Sequence, residues 1–340
     1  MFKTIAVLGA GAIGSSIGAD LTDAGHDVLI IDHWPENITA MKKNGLQISM
    51  TDLELSIPVK ACHLNEVYDL QPEFDLVLLA CKSYDSSWLT HFILPYLKPE
   101  GVLVSMQNSL NEEWLAPIVG AKRMMGCVVE LSGEMVEAGK VTRNTTRTST
   151  WFGPGEIDGT MTGRLLALER LLQCCATTQK TANLLGARWS KLIANVMTQG
   201  PIGMLGMKSA DASQLEGFEN IALQIGLEAY QVAKALGVVI EPVFGLSHHD
   251  LNDSADIAIK KLLNTLLLHL GKNSRNAVVQ DHARGRRTEV PFINGLVAQK
   301  GLALNIPTPF NDAVNRINQD IERKRIEVGP ENLMRVLAYL

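Results

Sequence analysis

Gly9, Gly11 and Gly14 stand in a G-x-G-x-x-G spacing directly after the apolar run of residues 4–8, and Ile13, Ile17 and Leu21 follow at helical intervals. Strand, tight turn and helix in that order make a cradle for a pyrophosphate. Gly9 lets the chain turn, Gly11 lets the backbone come close to the phosphates, and Gly14 lets the helix lie tight on the strand. The helix N-terminus adds free N–H groups and the positive end of its dipole. A secretory signal would also be apolar but has no reason to space glycines. A second strand is predicted at residues 27–31, and Asp32 follows it eighteen residues past Gly14, where a carboxylate accepts hydrogen bonds from ribose hydroxyls.

A second set of polar residues lies in "ARWSKLIANVMTQG", residues 187–200. As a helix, this stretch puts Lys191, Asn195 and Gln199 four residues apart on one face, with Leu192 and Val196 turned into apolar packing. A lysine and two carboxamides on one face of a buried-looking helix suggest a polar pocket; a solvated stripe on a two-sided helix is the bland alternative. Lys82 and Asn108 stand at the ends of predicted buried strands, where ligands sit in open α/β sheets. Lys82 could meet a cofactor or an incoming acid, or simply be solvated, and Asn108 could orient a ligand or make a turn.

The elements that must position these residues read as alternating strand and helix. A helix over residues 35–43 is stopped by Gly45, a strand pair follows over 46–62, and a buried strand at 74–80 leads to Lys82. A helix over about 86–97 and a strand at 102–106 ending at Asn108 continue the pattern, which predicts a parallel, doubly wound sheet. Residues 124–152 predict additional, partly antiparallel strands, and 162–174 a helix. From 187 onward helical periodicity dominates, with breaks at Gly200-Pro201, Gly237, Pro242, Gly285 and Pro307–Pro309. The expected organisation is an α/β protein: a Rossmann-type dinucleotide-binding domain over residues 1–186, then an all-helical substrate and dimerisation domain over 187–340.

With 340 residues the chain is long enough for two domains, and its net charge of −5 argues against a nucleic-acid surface. The five cysteines form no C-x-x-C spacing or paired framework, which fits a reducing compartment. No apolar run is long enough for a membrane span, so a cytoplasmic location is expected. His248-His249-Asp250 could suggest metal ligands, but adjacent histidines without further spaced ligands read better as surface loop, and no metal is expected. Cys174-Cys175 reads as a helical core edge. The apolar helices over residues 221–236 and 257–270 could form a homodimer interface or only the domain's own core.

Taken together, "GAGAIG", "CKSYD", "MQNSLN", "RWSKLIAN" and "QDHARGRRTEVPFINGLV", in this order over nearly the whole chain, resemble the ketopantoate reductase family. The resemblance implies an N-terminal Rossmann domain and a C-terminal helical domain. It also implies a catalytic lysine at Lys191, an asparagine one turn later at Asn195, a substrate-binding glutamate at Glu289, and cofactor-side residues at Lys82 and Asn108. The glycine motif would hold the dinucleotide through Gly9, Gly11, Ala12, Ile13 and Gly14. Reducing a ketone with a nicotinamide hydride builds negative charge on the carbonyl oxygen, which a positioned ammonium can stabilise and protonate. Lys191 fits both tasks, Asn195, Gln199 and Asn108 can fix the substrate, and Glu289 can accept a substrate hydroxyl or hold Lys191. Read alone, Glu289 would be a surface carboxylate near Arg286 and Arg287.

Three positions depart from the family pattern: Gln199 in place of a second asparagine, Ser109 in place of a loop glycine, and Ala277 in place of a substrate-binding serine, with Asn276 beside it and Ser274 one turn earlier. The reacting centre is kept while its periphery changes. The expected activity is nicotinamide-dependent reduction of a 2-oxo acid, bound between the domains, to a 2-hydroxy acid. The alternatives are an NAD-dependent D-2-hydroxy acid dehydrogenase acting on a different side chain, and a non-catalytic dinucleotide sensor. Members that resemble one another in using NADP tend to carry arginine after the second strand. Here Asp32 and His33 stand there, and no lysine or arginine occurs between Asp32 and Lys42. NAD is therefore expected over NADP, with Asp32 capping the next helix as the competing role for that residue.

Overall fold

Ile5, Ala6, Val7 and Leu8 are all buried, as a strand covered on both faces requires. Their side chains divide by parity: Ile5 and Val7 pack with Ile17, Ile48 and Val141, while Ala6 and Leu8 pack with Leu89 and Leu115. The computed structural model describes residues 2–243, 247, 254–268 and 274–340, and its chain divides into two compact units, Met1–Leu184 and Leu185–Leu340.

The first unit contains β1 (Ile5–Leu8), β2 (Val28–Asp32), β3 (Leu46–Ser49), β4 (Glu54–Ile57), β5 (Lys60–His63), β6 (Phe74–Leu79), β7 (Leu97–Ser105), β8 (Met124–Glu130), β9 (Gly133–Glu137), β10 (Lys140–Arg143), β11 (Trp151–Glu156) and β12 (Thr177–Thr178). The main sheet runs β12-β11-β8-β7-β6-β1-β2-β5, parallel throughout except between β8 and β11. This is the doubly wound parallel sheet that the alternation of elements predicts, with β1 between β6 and β2. A smaller sheet, β4-β3-β10-β9, packs beside helix Ala12–Asp23. That helix is tied to the small sheet from below: the fully buried Arg143 donates to Asp20 at 2.6 Å and to Thr150 at 2.8 Å, and Arg147 donates to the other Asp20 oxygen at 2.7 Å.

Two expectations change here. Residues 46–62 form three strands rather than one pair: β3 and β4 make a hairpin in the small sheet, while β5 leaves it to extend the main sheet beside β2. The helix expected over 86–97 ends at Ile93, because Pro95 tightens the next turn and Leu97 already pairs with Phe74 as the start of β7.

The second unit is helical throughout its described residues, with helices Leu184–Leu205, Phe218–Ala235, Ala255–Leu268, Asn294–Ala303 and Pro309–Glu322 as its longest elements. The helix over 257–270 is described only as far as Leu268. The expected break at Gly200-Pro201 does not occur, and helix Leu184–Leu205 runs through it with Pro201 inside. A proline there deprives the Met197 carbonyl of its usual partner and crowds the turn before it. Buried asparagine amides steady the neighbouring carbonyls: Asn294 donates to Val196 at 3.1 Å, Asn318 to Gly200 at 3.2 Å, and Asn332 to Met204 at 2.9 Å. Gly200 and Gly203 leave room for Asn294 and Val278 to press against this helix.

Helix Pro309–Glu322 begins on a buried carboxylate. Glu228 accepts the backbone N–H groups of Phe310 and Asn311, each at 2.9 Å, and the Asn311 amide at 2.8 Å. Removing it leaves those donors unpaired in the interior, so Glu228→Ala is expected to cost about 3 kcal/mol or more of folding stability, measurable by urea denaturation. Burial, opposed by these hydrogen bonds, leaves the Glu228 carboxyl above the ordinary range of a glutamate. The folded state therefore holds that proton more tightly than the unfolded chain, and stability falls as pH rises from about 4.5 through the raised value. Glu228→Gln should flatten this slope; an unchanged slope would remove Glu228 as its source.

Candidate active site

In the first unit the glycine motif takes the conformation its spacing predicts. Gly9 has φ +101°, and a side chain there would press to within 2.6 Å of the Cys81 backbone nitrogen. A Cβ on Gly14 would stand 1.9 Å from the Gly9 carbonyl oxygen, whereas one on Gly11 would meet nothing within 4 Å. Two glycines therefore seal helix Ala12–Asp23 to the strands, and the third faces open space, as a backbone approached by a ligand must. The helix begins with Gly11 at its N-cap, with no side-chain cap and no acidic residue in its first turn. Ala12 and Ile13 open that first turn.

Asp32 ends β2 beside this loop and is only 7% exposed. One carboxylate oxygen accepts the Ala10 N–H at 2.5 Å, and the other accepts the Trp34 N–H at 2.8 Å. Asn37, fully buried, donates to the Ala10 carbonyl at 3.0 Å and accepts from Gly139 at 2.8 Å. Asp32 and Asn37 thus hold the glycine loop from beneath. Asn37 is absent from the sequence reading because its partners lie 27 and 102 residues away.

Register places the remaining cofactor-side candidates at the same sheet edge. Leu8 pairs with Leu79, and Leu79 with Ser105, so the C-terminal ends of β1, β6 and β7 are neighbours. Lys82, half-buried, caps the short turn Ser83–Asp85 after β6. Asn108, also half-buried, follows β7 and receives the Asn111 amide on its carbonyl at 2.6 Å. Between them Ser105 donates to Gln107 at 2.8 Å, and the Gln107 amide reaches the Cys81 sulfur at 3.4 Å, fastening the two strand ends together. Ser109 has φ +76°, the left-handed region that favours glycine, which gives a backbone reason for a glycine at that position.

In the second unit Lys191, Asn195 and Gln199 share one face of helix Leu184–Leu205, Lys191 and Gln199 half-buried and Asn195 only 5% exposed. The Asn195 amide nitrogen is buried without a hydrogen-bond partner. An unsatisfied buried donor costs about 1–3 kcal/mol, and such a group one turn from a lysine is suited to receive a ligand's acceptor atom. Glu289 is 8% exposed at the start of the turn Val290–Phe292, which corrects the reading of it as a surface carboxylate. Ala277 is the first residue of helix Ala277–Ala283, so it presents only a methyl group. The His248-His249-Asp250 cluster lies outside the described residues. Among those described, no group of three or more His, Cys, Asp or Glu side chains is placed to hold a metal, and no helix is long and apolar enough to cross a membrane.

A glycine cradle on a parallel sheet, joined in sequence to a helical unit bearing a lysine and carboxamide row, defines a Rossmann-type fold with a helical second unit. Residues 5–156 match the family described as Ketopantoate reductase PanE/ApbA, and residues 183–322 match its C-terminal counterpart, Ketopantoate reductase PanE/ApbA C terminal. The chain belongs to the ketopantoate reductase family. It is 29% identical over 314 residues to the 2-dehydropantoate 2-reductase of Pyrococcus abyssi, spanning 90% of this chain and 94% of that protein. The solved 2-dehydropantoate 2-reductase of Geobacter metallireducens superposes with a TM-score of 0.80 at 25% identity, covering 93% of this chain and 99% of the other. A ternary structure of D-mandelate dehydrogenase with NADH and anilino(oxo)acetate shares the fold with a TM-score of 0.81 at 19% identity, covering 94% and 98% of the two chains.

Proposed function

We propose that this protein reduces a 2-oxo acid to the 2-hydroxy acid, with Lys191 as the general acid. The observation that carries this reading is the buried, unpartnered Asn195 amide one helical turn from Lys191. When bound, the nicotinamide cofactor supplies the hydride. Gly9, Gly11, Ala12, Ile13 and Gly14 would hold its pyrophosphate, with Asp32, Lys82 and Asn108 along the same strand ends. The Lys191 ammonium stabilises the negative charge that grows on the carbonyl oxygen and delivers its proton there. Asn195 donates a hydrogen bond to the substrate, Gln199 and Asn108 bind its remaining polar groups, and Glu289 accepts a substrate hydroxyl or orients Lys191. Ala277 offers no hydroxyl at the first position of its helix, which supports an acid less hydroxylated, or bulkier, than ketopantoate, and thus a 2-hydroxy acid dehydrogenase acting on another side chain.

The cofactor proposed is NAD rather than NADP. Each Asp32 oxygen already accepts one backbone N–H and keeps a lone pair for a ribose hydroxyl, while a 2′-phosphate would meet the largely buried carboxylate charge to charge. His33 lies 3.7 Å from Asp32 and is 61% exposed, so it offers a 2′-phosphate little compensation. A panel of 2-oxo acids followed at the nicotinamide absorbance, with NADH and NADPH titrated in parallel on the best substrate, tests both proposals. Turnover of at least one acid with kcat/KM at least about tenfold higher for NADH is expected. No turnover of any acid would overturn the activity, and equal or better efficiency with NADPH would overturn the cofactor assignment.

A further inference from the structure

The segment that carries Glu289 is fastened to the lysine helix on both sides of that residue. Upstream, Asn276 uses both ends of one side-chain amide. Its oxygen accepts the Val279 N–H at 2.9 Å and caps helix Ala277–Ala283, while its nitrogen donates to the carbonyls of Thr198 at 3.0 Å and Gln199 at 3.1 Å. Downstream, Asn294 donates to the Val196 carbonyl. The Asn276 contacts fall two and three residues before Pro201, in the turn that the proline ring crowds and where the regular helix bond to Met197 is missing. Without an external donor, carbonyls in such a turn can tilt in more than one direction, and Gln199 would turn with them.

We propose that Asn276 is a positioning residue: by holding the Thr198 and Gln199 carbonyls, it fixes the Gln199 end of the Lys191–Asn195–Gln199 row against the segment that bears Glu289. Two amide staples of opposite placement, at Gln199 and at Val196, leave that row and Glu289 a single relative arrangement. This inference rests on the reductase reading above. It makes Asn276 a determinant of substrate grip without contact with substrate or cofactor, and it separates the two functions of one side chain, capping by its oxygen and stapling by its nitrogen.

Asn276→Asp keeps the capping oxygen and turns the donor into an acceptor that faces two carbonyls. Asn276→Ser also keeps a capping oxygen but is too short to carry the staple. Both variants are expected to remain folded, with dinucleotide affinity within about twofold of the parent. KM for the best 2-oxo acid should rise about tenfold while kcat falls less, and backbone hydrogen exchange around residues 198–203 should accelerate. Unchanged KM and kcat in both folded variants would overturn the positioning role, and faster exchange alongside unchanged kinetics would reduce the staple to architecture and overturn it equally. Failure of the functional reading looks different: the parent itself would turn over no 2-oxo acid, and the positioning role would fall with it. If Asn276→Asp does not fold, Asn276→Ser and its exchange pattern decide the question.

Discussion

Lys191→Ala is expected to lower kcat for 2-oxo acid reduction by at least about a hundredfold, the usual scale for loss of a general acid, and to leave dinucleotide affinity unchanged. The separation of effects follows from the structure. Lys191 lies on a long helix of the second unit, whereas the glycine cradle and Asp32 belong to the first. Alanine is the strongest helix former, and Lys191 is half-buried next to the buried Leu192, so the helix survives the truncation. Steady-state kinetics on the best acid, with dinucleotide titration by protein fluorescence, checks both halves. Turnover within a few-fold of the parent would remove Lys191 from the chemistry, and weakened dinucleotide binding would show that the substitution reaches beyond it.

The second large effect separates two glycines of one motif. Gly14→Ala forces a methyl group to 1.9 Å from the Gly9 carbonyl and 3.1 Å from the Ala80 side chain. Helix and strand must part, and overpacking of this kind costs about 1–3 kcal/mol, so a melting point lowered by several degrees is expected together with loss of dinucleotide binding. Gly11→Ala meets no protein atom within 4 Å, and its melting point should match the parent. Its dinucleotide affinity should nonetheless fall at least about tenfold, because the added methyl group occupies the space through which a pyrophosphate reaches the backbone. Parent-like affinity in Gly11→Ala would place the phosphates elsewhere.

Much of this was legible in the sequence because the informative residues are close together in the chain. Gly9, Gly11, Gly14 and Asp32 lie within one strand, helix and strand, and each has a local task that only its residue type performs. Pro201 behaves otherwise: local rules predict a break there, and the asparagines that hold the neighbouring carbonyls, Asn276, Asn294 and Asn318, lie far along the chain. The alternation of residues 46–62 identified strands but not their partners, because period two is the same for a hairpin and for a strand that joins another sheet. Lys191, Asn195 and Glu289 stand out in the sequence by residue type, while the burial of Asn195 and Glu289 comes only with the fold.

The small sheet has a further consequence, for the order in which the first unit can assemble. β3 pairs in parallel with β10, so Gln47 and Lys140 become neighbours across nearly the whole length of the intervening chain. Closing so long a loop is entropically unfavourable until β6, β7 and β8 have brought β9 and β10 back to the start of the unit. The sheet that covers helix Ala12–Asp23 is thus a late-forming element during synthesis. A nascent chain that has not yet reached Arg143 lacks both the β10 strand and the buried partner of Asp20, so helix Ala12–Asp23 stays without its lower support until that point.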